Sequence, residues 1–370
     1  HKKISKKLNI VKYNYVKFKN FKHVDNIFRK KKPSINRIGS LRYDRQERIS
    51  PYPKKFLELI HKKFKSEHIS CYPELSNLYK KFSKSLNVKT ENIILTQGSD
   101  LAIKQCFELL IKKNDQVITI FPTYGMTNVY CELFQAKEKR IFFQKNLNLD
   151  LNNFITSINK KTKLIIFANP NSPTGTIIPE QTINEILKKA VKCDAFVLID
   201  ECYYGFYKKT MIRKIKRYNN LIISRSFSKA IGMAGCRVGA LISNKSLIEK
   251  LSKFRPMHEI SHFSAFIAEL LLDNKNIYKS YLKDTSKGKK YFEKFLKRKN
   301  LKFLKSYANF ILVDFESKKN MNKILKAAKT KKILIHGEPF IPGCENYIKF
   351  TTGPKHYMKI LEKLIIENLA

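Results

Sequence analysis

The chain contains 370 residues, of which 43% are hydrophobic, so it can form a core domain with a smaller partner domain. Its formal charge of +44 comes from basic residues spread along the whole chain, which argues against a nucleic-acid-binding stripe. No apolar run approaches the roughly 20 residues that cross a bilayer, and the basic N-terminal stretch lacks the apolar block of a secretory signal. We therefore expect a cytoplasmic protein that binds neither nucleic acid nor membrane and favours small anionic ligands.

The seven cysteines are scattered at irregular spacing and form no Cys-x-x-Cys pair. An odd number at such spacing argues against a disulfide framework and against a zinc site. We expect reduced, mostly buried thiols and no bound metal.

Residues 1–34 are basic and weakly patterned, which predicts an arm rather than part of a core. Short apolar runs then alternate with helical stretches, of which Ser99–Lys112 and Pro179–Cys193 are the clearest. This alternation is typical of an α/β domain with a mostly parallel sheet between helices. The predicted strands are Ile93–Thr96, Val117–Phe121, Leu164–Ala168, Phe196–Asp200, Leu221–Ser224 and Val238–Ile242.

The pattern changes after about Phe254 and predicts a smaller α/β domain. We expect an N-terminal arm and part of the small domain in residues 1–50, a large domain in 51–260 and the small domain in 261–370. The elements predicted in this last part are a long helical region at Ser264–Lys299, strands at Phe310–Phe315, Ile333–Ile335 and Tyr347–Thr351, and a final helix from Lys355.

Polar residues of unusual type directly follow four of the predicted strands. The carboxyl ends of parallel strands meet at one edge of a sheet, and ligands bind in the crevice outside that edge. We therefore expect the four segments to face one crevice. They are Gln97–Asp100, Asn169–Gly175, Asp200–Glu201 and Ser224–Lys229.

These segments offer groups suited to a phosphorylated, pyridine-containing ligand. Backbone N–H groups at a helix that starts near Gly98 would bind a phosphate, with Arg237 as a bidentate partner. A carboxylate at the end of a buried strand, as Asp200 is, needs a cationic partner such as a pyridinium nitrogen. Lys229 supplies an amine that can form an imine, and Tyr124 can stack on a ring.

The same stretches resemble the fold type I enzymes that depend on pyridoxal phosphate (PLP), the class I and II aminotransferases, and most closely the histidinol-phosphate aminotransferase group. The similarity runs from about Arg42 to the C-terminus, and the series Asp…Tyr…Ser-x-Ser-Lys…Arg is highly specific. The matching segments are Cys71–Pro73, Thr96–Asp100, Pro122–Met126, Asn169–Gly175, Asp200–Tyr203 and Ser226–Arg237.

The resemblance implies a role for each matching residue around the cofactor ring. Lys229 would form the Schiff base with PLP and later move the proton of the substrate α carbon. Asp200 would pair with the pyridine nitrogen, and Tyr124 would stack on the ring. Tyr203 and Asn171 would contact the ring hydroxyl.

Further residues would hold the cofactor phosphate, and the resemblance implies a homodimer with shared active sites. Tyr72 would reach the phosphate of the other subunit's cofactor. Within one chain, the phosphate would be bound by Ser99, Asp100, Ser226, Ser228 and Arg237.

Two departures from the family pattern concern the ring and the substrate. Many relatives have asparagine directly before Pro-Thr-Gly, where this chain has Ser172. Relatives place substrate-binding arginines where this chain has Lys349 and His336, and lysine lacks the planar fork of arginine. The basic residues that could replace those arginines, or could equally be surface residues or helix partners, are Arg42, Arg45 and Arg48.

Two reactions fit these residues. In an aminotransferase, glutamate would give its amino group to PLP, and a small phosphorylated carbonyl substrate would then receive it. The alternative is a decarboxylase of a phosphorylated amino acid such as serine or threonine phosphate. An arginine fork holds the substrate carboxylate near the cofactor plane and so favours C–H cleavage, a control that Lys349 and His336 would loosen. We favour the aminotransferase because that activity is abundant in the family. A binding protein on a degenerate enzyme fold is disfavoured because the catalytic set is complete.

Overall fold

The computed structural model describes residues 22–25, 27, 36–144, 147–337 and 341–369. The arm predicted in residues 1–34 lies outside the described residues, apart from 22–25 and 27. The α-helices are α1 (Lys22–Asp25), α2 (Lys54–Lys63), α3 (Glu67–Ser70), α4 (Ser76–Leu86), α5 (Gly98–Leu110), α6 (Gly125–Leu133), α7 (Leu151–Ser157), α8 (Glu180–Lys192), α9 (Lys245–Leu251), α10 (His262–Asp273), α11 (Asn276–Arg298), α12 (Lys318–Thr330) and α13 (Lys355–Leu369). The strands are β1 (Leu41–Arg42), β2 (Ile93–Thr96), β3 (Gln116–Phe121), β4 (Lys137–Phe142), β5 (Thr162–Ala168), β6 (Phe196–Asp200), β7 (Leu221–Ser226), β8 (Gly239–Ile242), β9 (Phe303–Leu304), β10 (Phe310–Asp314), β11 (Ile333–Leu334), β12 (His336–Gly337) and β13 (Tyr347–Thr351).

Seven strands form the central sheet of the large domain, in the order β2-β8-β7-β6-β5-β3-β4. Neighbouring strands are parallel except at β8, which is antiparallel to both β2 and β7. Successive residues of β2 point to opposite faces, so Ile93 and Leu95 join one hydrophobic core and Ile94 joins another. Burial on both faces explains why these strands have continuous apolar sequences. The predicted α/β fold with a mostly parallel sheet is confirmed.

The sequence does not predict β4, because its residues Lys-Glu-Lys-Arg-Ile-Phe contain no continuous apolar run. The strand pairs with β3 at the edge of the sheet, and most of its side chains are at least partly exposed. Charged side chains on an edge strand oppose pairing with other molecules. This segment forms a strand because it pairs with β3. The residues of the segment alone do not indicate that pairing.

The small domain has a hydrophobic core of its own. Its four-stranded antiparallel sheet, β12-β13-β10-β9, packs against α11, α12 and α13. Tyr43 and Ile49 are buried in the same core, so the segment around β1 belongs with this domain. Helix α10 packs in the core of the large domain instead, because apolar residues cover most of its surface. The large-domain core therefore extends past residue 260, where the sequence places the boundary.

The predicted helical region Ser264–Lys299 is divided into α10 and α11, with a break at Asn274 and Lys275. No helix in the described part of the chain is both long enough and apolar enough to span a membrane. All seven cysteines are unpaired, and four of them are buried.

Candidate active site

The polar segments that follow the strands meet in one cavity of about 1370 Å³, hereafter the cofactor cavity. It lies outside the carboxyl ends of β2, β5, β6 and β7, which all point to the same edge of the sheet. Residues from the small domain and from the segment before β1 form the opposite wall. The predicted site residues that line this cavity are Ser99, Asp100, Tyr124, Asp200, Tyr203, Ser226, Ser228, Lys229, Arg237 and His336.

Lys229 lies in this cavity, on the turn that follows β7. Its ammonium donates a hydrogen bond to the backbone oxygen of Arg45 at 2.8 Å and lies 5.9 Å from the centroid of the Tyr203 ring. Burial lowers the pKa of the Lys229 amine, and the charge of Arg237 lowers it further, although Asp200 acts in the opposite direction. A lowered pKa increases the fraction of neutral amine, which is the form that attacks a carbonyl group.

Asp200 is the last residue of β6 and is buried. Ser224 donates a hydrogen bond to its carboxylate. Burial raises the pKa of Asp200, while hydrogen bonds from Ser224 and Cys202 and the charge of Lys229 oppose that rise. Within the described part of the chain, Asp200 forms no ion pair. A buried carboxylate of this kind is stabilised by a cationic ligand atom placed beside it.

The start of α5 and the side chain of Arg237 form an anion-binding cradle. Gly98 has a φ of +80°, and a Cβ atom there would lie 2.6 Å from Nη2 of Arg237. A Cβ on Gly239 would lie 2.8 Å from the backbone nitrogen of Ser99. Arg237 also donates a hydrogen bond to the Ser228 hydroxyl at 3.3 Å. Glycine allows this close approach, which gathers backbone N–H groups, a guanidinium and hydroxyls where a phosphate can bind.

Asp100 and Tyr124 border the cavity beside this cradle. Asp100 accepts a hydrogen bond from the Tyr130 hydroxyl at 2.9 Å, which fixes the carboxylate at the start of α5. Burial raises the pKa of the Tyr124 hydroxyl, and the negative charges of Asp100 and Asp200 raise it further. Tyr124 therefore presents a neutral ring to the cavity, which is suited to stacking on a planar ligand.

Tyr203 and Ser172 line the cavity, whereas Asn171 does not appear among its described lining residues. Tyr203 is buried and forms a hydrogen bond with Ser172. The Asn171 amide donates to the Pro122 carbonyl and to the Thr174 hydroxyl, both at 2.9 Å. Asn171 thus supports the loop after β5, and Ser172 lies in the cavity beside Tyr203, while the contact of Asn171 with a ring hydroxyl stays a prediction.

Tyr72 is also absent from the described lining of this cavity. It is 81% exposed, and its ring stacks on His258 with 4.4 Å between the ring centroids. Ile69 and Met257, in the segments that carry these two rings, are 76% and 88% exposed. Tyr72 therefore does not join the site of its own chain, and its contact with another subunit stays a prediction.

The two candidates for substrate binding, His336 and Lys349, are cross-strand partners on β12 and β13, so their side chains share one face of the sheet. His336 lines the cavity, with its Nε2 3.7 Å from the Asp44 carboxylate. Lys349 is not among the described lining residues, and its ammonium lies 5.4 Å from the centroid of the Phe310 ring. Burial, and then the charge of Lys229, lower the pKa of Lys349 to about 8.

The three arginines near the N-terminus have different surroundings. Arg45 lines the cofactor cavity, and its Nε lies 3.6 Å from the Asp44 carboxylate. Arg42 forms an ion pair with a neighbouring glutamate at 3.2 Å. Arg48 is buried, with its guanidinium 4.3 Å from the centroids of two tyrosine rings. Of these three arginines, Arg45 is therefore the one placed to meet a substrate, and Arg48 is a packing residue.

The sequence does not single out an ion-pair cluster on the small-domain side of the cavity. Arg37 donates two hydrogen bonds to Asp44, at 2.7 and 2.9 Å, and one to Glu47 at 3.0 Å. All three residues line the cavity. Burial alone would raise the pKa of Asp44, but the Arg37 guanidinium keeps it below its ordinary value. The sequence feature that could have indicated this cluster is the alternation of acidic and basic residues between Arg42 and Arg48.

The residues of the cavity fit PLP. Asp200 is a buried carboxylate without an ion-pair partner in the described structure, as a protonated pyridine nitrogen requires. The glycine-lined cradle at Arg237 suits the phosphate, and the amine of Lys229 lies in the same cavity. The described residues contain no cluster of histidine, cysteine, aspartate and glutamate suited to a metal ion.

Comparisons with known proteins agree with this fit. Residues 42–365 match the family described as aminotransferase class I and II. The histidinol-phosphate aminotransferase of Clostridium novyi (strain NT) is 31% identical over 285 residues, which cover 76% of this chain and 78% of the relative. The histidinol-phosphate aminotransferase of Methanocaldococcus jannaschii is 30% identical over 366 residues, which cover 95% of each chain.

A solved structure supports the same fold. The histidinol-phosphate aminotransferase of Sinorhizobium meliloti, in complex with pyridoxal-5'-phosphate, has a TM-score of 0.83. The match covers 96% of this chain and 99% of the other at 18% identity, so it bears on the fold alone. The named relatives favour transamination, and the decarboxylase alternative is not favoured. The chain belongs to the class I and II aminotransferases, which use pyridoxal phosphate as cofactor.

Proposed function

We propose that this chain moves an amino group between glutamate and a small phosphorylated carbonyl compound, of the kind that histidinol-phosphate aminotransferases use. One observation carries the proposal: Lys229 lies in a single cavity between the PLP-binding groups and a wall of cationic side chains. A phosphate on the substrate would be attracted to that wall. The cationic residues of this wall are Arg45, Lys329 and Lys332, whereas Arg37 is already paired with Asp44 and Glu47.

The chain's own residues divide the work of the reaction. When bound, PLP supplies an electron-withdrawing ring that stabilises negative charge at the substrate α carbon. Asp200 would hold the proton on the ring nitrogen, since a buried carboxylate stabilises an adjacent cation. Lys229 would accept the proton of the α carbon and return it, because its lowered pKa makes a neutral amine available. Tyr203 and Ser172 would contact the ring hydroxyl, and Arg237 would help to anchor the phosphate.

With PLP bound, the protein is expected to convert histidinol phosphate and 2-oxoglutarate to glutamate and the phosphorylated carbonyl product. The cationic wall should bind the substrate phosphate, so histidinol without its phosphate should show kcat/KM lower by about 100-fold or more. Coupled detection of glutamate measures both rates. Release of carbon dioxide from serine phosphate or threonine phosphate, with no requirement for 2-oxoglutarate, would contradict this proposal.

We expect Lys349 to make substrate binding depend on pH. Its pKa is lowered to about 8, so the ammonium is charged below that pH and loses its charge above it. The KM of an anionic substrate should therefore rise as the pH passes about 8. A Lys349→Arg variant keeps its charge and should show a flatter profile. Lys349→Met should raise KM below about pH 8, to a value that the wild type approaches above that pH. A wild-type KM profile identical to that of Lys349→Arg would exclude this role. The profiles are measured from pH 6.5 to 9.5, a range on both sides of that pKa.

We also infer a homodimer in which Tyr72 reaches the cofactor phosphate of the other subunit. The support is the exposure of Tyr72 together with the apolar side chains of Ile69 and Met257, a combination typical of a surface that another chain covers. A cytoplasmic location stays a prediction, supported by the seven unpaired cysteines.

A further inference from the structure

The described residues form a second cavity of about 1000 Å³, behind the segment that carries Lys229. Ser226, Phe227, Ala230 and Ile231 form part of one wall, and α11 forms another. Ser226 lines both this cavity and the cofactor cavity. The two cavities therefore lie on opposite sides of one short stretch of chain.

This second cavity is lined by lysines and by no aspartate or glutamate among its described lining residues. The cofactor cavity differs, since its described lining includes four carboxylates. The basic composition of the chain thus does not by itself explain the absence of acidic groups. Arg225, also in the lining, is neutralised by an ion pair with Glu201 at 2.7 Å. We call this second cavity the lysine cavity. Its lysines are Lys208, Lys275, Lys279, Lys283, Lys287, Lys289 and Lys290.

Three of these lysines lie in one row at the start of α11, with Lys275 directly before the helix and the other two on it. Lys275, Lys279 and Lys283 follow each other at intervals of four residues, so their side chains are neighbours on the helix surface. Like charges at this spacing destabilise a helix. None of the three forms an ion pair with another described residue. A bound anion would remove this repulsion.

Polar groups inside the lysine cavity are left without partners. Asn309 and Thr352 are both fully buried and both line it, and neither the Asn309 Oδ1 nor the Thr352 Oγ1 has a hydrogen-bond partner in the described structure. Buried polar atoms are normally paired. The Thr352 hydroxyl can donate and so suits an anionic ligand, whereas the Asn309 oxygen only accepts and suits a water.

Lys289 is the lysine of this set that lies deepest. Its ammonium donates hydrogen bonds to the backbone oxygens of Ser306 and Ala308, the latter at 2.9 Å. An ammonium group has three N–H donors, so one remains for a ligand. Burial lowers the pKa of Lys289 to about 8, and an adjacent anion would favour its charged form.

We propose that the lysine cavity binds a small molecule with two or more phosphate groups, at a site separate from the cofactor and substrate. Its volume is at the upper end of the roughly 300–1000 Å³ of small-molecule sites, which leaves room for a polyphosphate with an attached ring. Tyr204, Tyr278 and Tyr307 supply aromatic walls for such a ring. The limited volume, between a helix and a loop, favours a small molecule over a nucleic-acid strand.

Inorganic pyrophosphate is the probe for this site, titrated calorimetrically into the full chain loaded with PLP, at constant ionic strength. A Lys279→Gln, Lys283→Gln double variant should bind it at least about tenfold more weakly, because two charge-assisted contacts are lost. Both side chains are exposed, so the substitution leaves the hydrophobic core intact. PLP occupies the cofactor phosphate cradle in every sample.

The matched control is Lys294→Gln, Lys297→Gln, which removes the same charge from exposed positions of α11 outside the cavity lining. Its affinity should remain within about twofold of the wild type, as expected for screened surface charges. Any binding of pyrophosphate in the substrate region should add the same calorimetric signal for all three proteins, so it does not affect the comparison. An equal loss in both double variants, or no detectable binding to the wild type, would overturn the proposal. Neither outcome bears on transamination, which is measured separately.

Discussion

Replacement of Lys229 by alanine is expected to abolish the visible absorbance of the lysine–PLP linkage and to lower kcat by at least about 10²–10⁴-fold. Positioned proton-transfer groups contribute rate enhancements of this order, and Lys229 also supplies the amine that binds the cofactor. The structure offers this amine in a cavity where burial lowers its pKa. Absorbance spectra and the coupled glutamate assay measure the two effects.

A lysine elsewhere provides the control for this substitution. Lys253 is exposed and does not line the cofactor cavity, so Lys253→Ala should retain both the spectrum and the rate. If Lys229→Ala retained the absorbance of the linkage, another lysine would have to bind PLP, and the assignment of the site would be wrong.

The second large effect is expected from Asp200→Asn, which keeps the size of the side chain and removes its charge. Without that charge the pyridine nitrogen loses its stabilising partner, and the ring withdraws electrons less well. We expect kcat to fall by about 10²–10³-fold, the scale seen when one preorganised electrostatic group is removed from an active site. PLP should still bind, because Lys229 and the phosphate cradle are unchanged.

Asp284→Asn is the matched control, since it makes the same chemical change on α11, outside the described lining of the cofactor cavity. Its kcat should equal that of the wild type. An Asp200→Asn enzyme with a nearly unchanged kcat and a normal PLP spectrum would show that the buried carboxylate does not act on the ring.

Local sequence carries enough information to predict six of the seven strands of the central sheet and one side of the cavity. Strands such as β6 are continuous apolar runs, and the polar residue that follows each strand must lie at the sheet edge. Asp200 and Lys229 therefore appear together in the structure as the sequence pattern predicts. Arg237 joins them because it precedes β8, which is antiparallel to β7 and so begins at the same edge. Asn171 is not among the described lining residues, because its amide donates to the Pro122 carbonyl in the loop after β3 and to the Thr174 hydroxyl in its own loop.

The substrate side depends on contacts between residues far apart in the chain. Asp44 lies 3.7 Å from His336, and only the pairing of β1 with β11 and of β12 with β13 brings these segments together. Arg48 is the contrasting case. It is close in sequence to other charged residues, but its guanidinium is buried against two tyrosine rings and contributes to packing. Charge patterns alone do not distinguish these two situations, since they depend on tertiary packing.

The point of covalent attachment of PLP is the most direct test of the site. The PLP-loaded chain can be reduced with borohydride, digested and analysed by mass spectrometry, which locates the modified lysine. We predict that the cofactor is found on the peptide that contains Lys229. Modification of Lys349 or of any other lysine in place of Lys229, or a chain that takes up no PLP, would contradict the proposed active site.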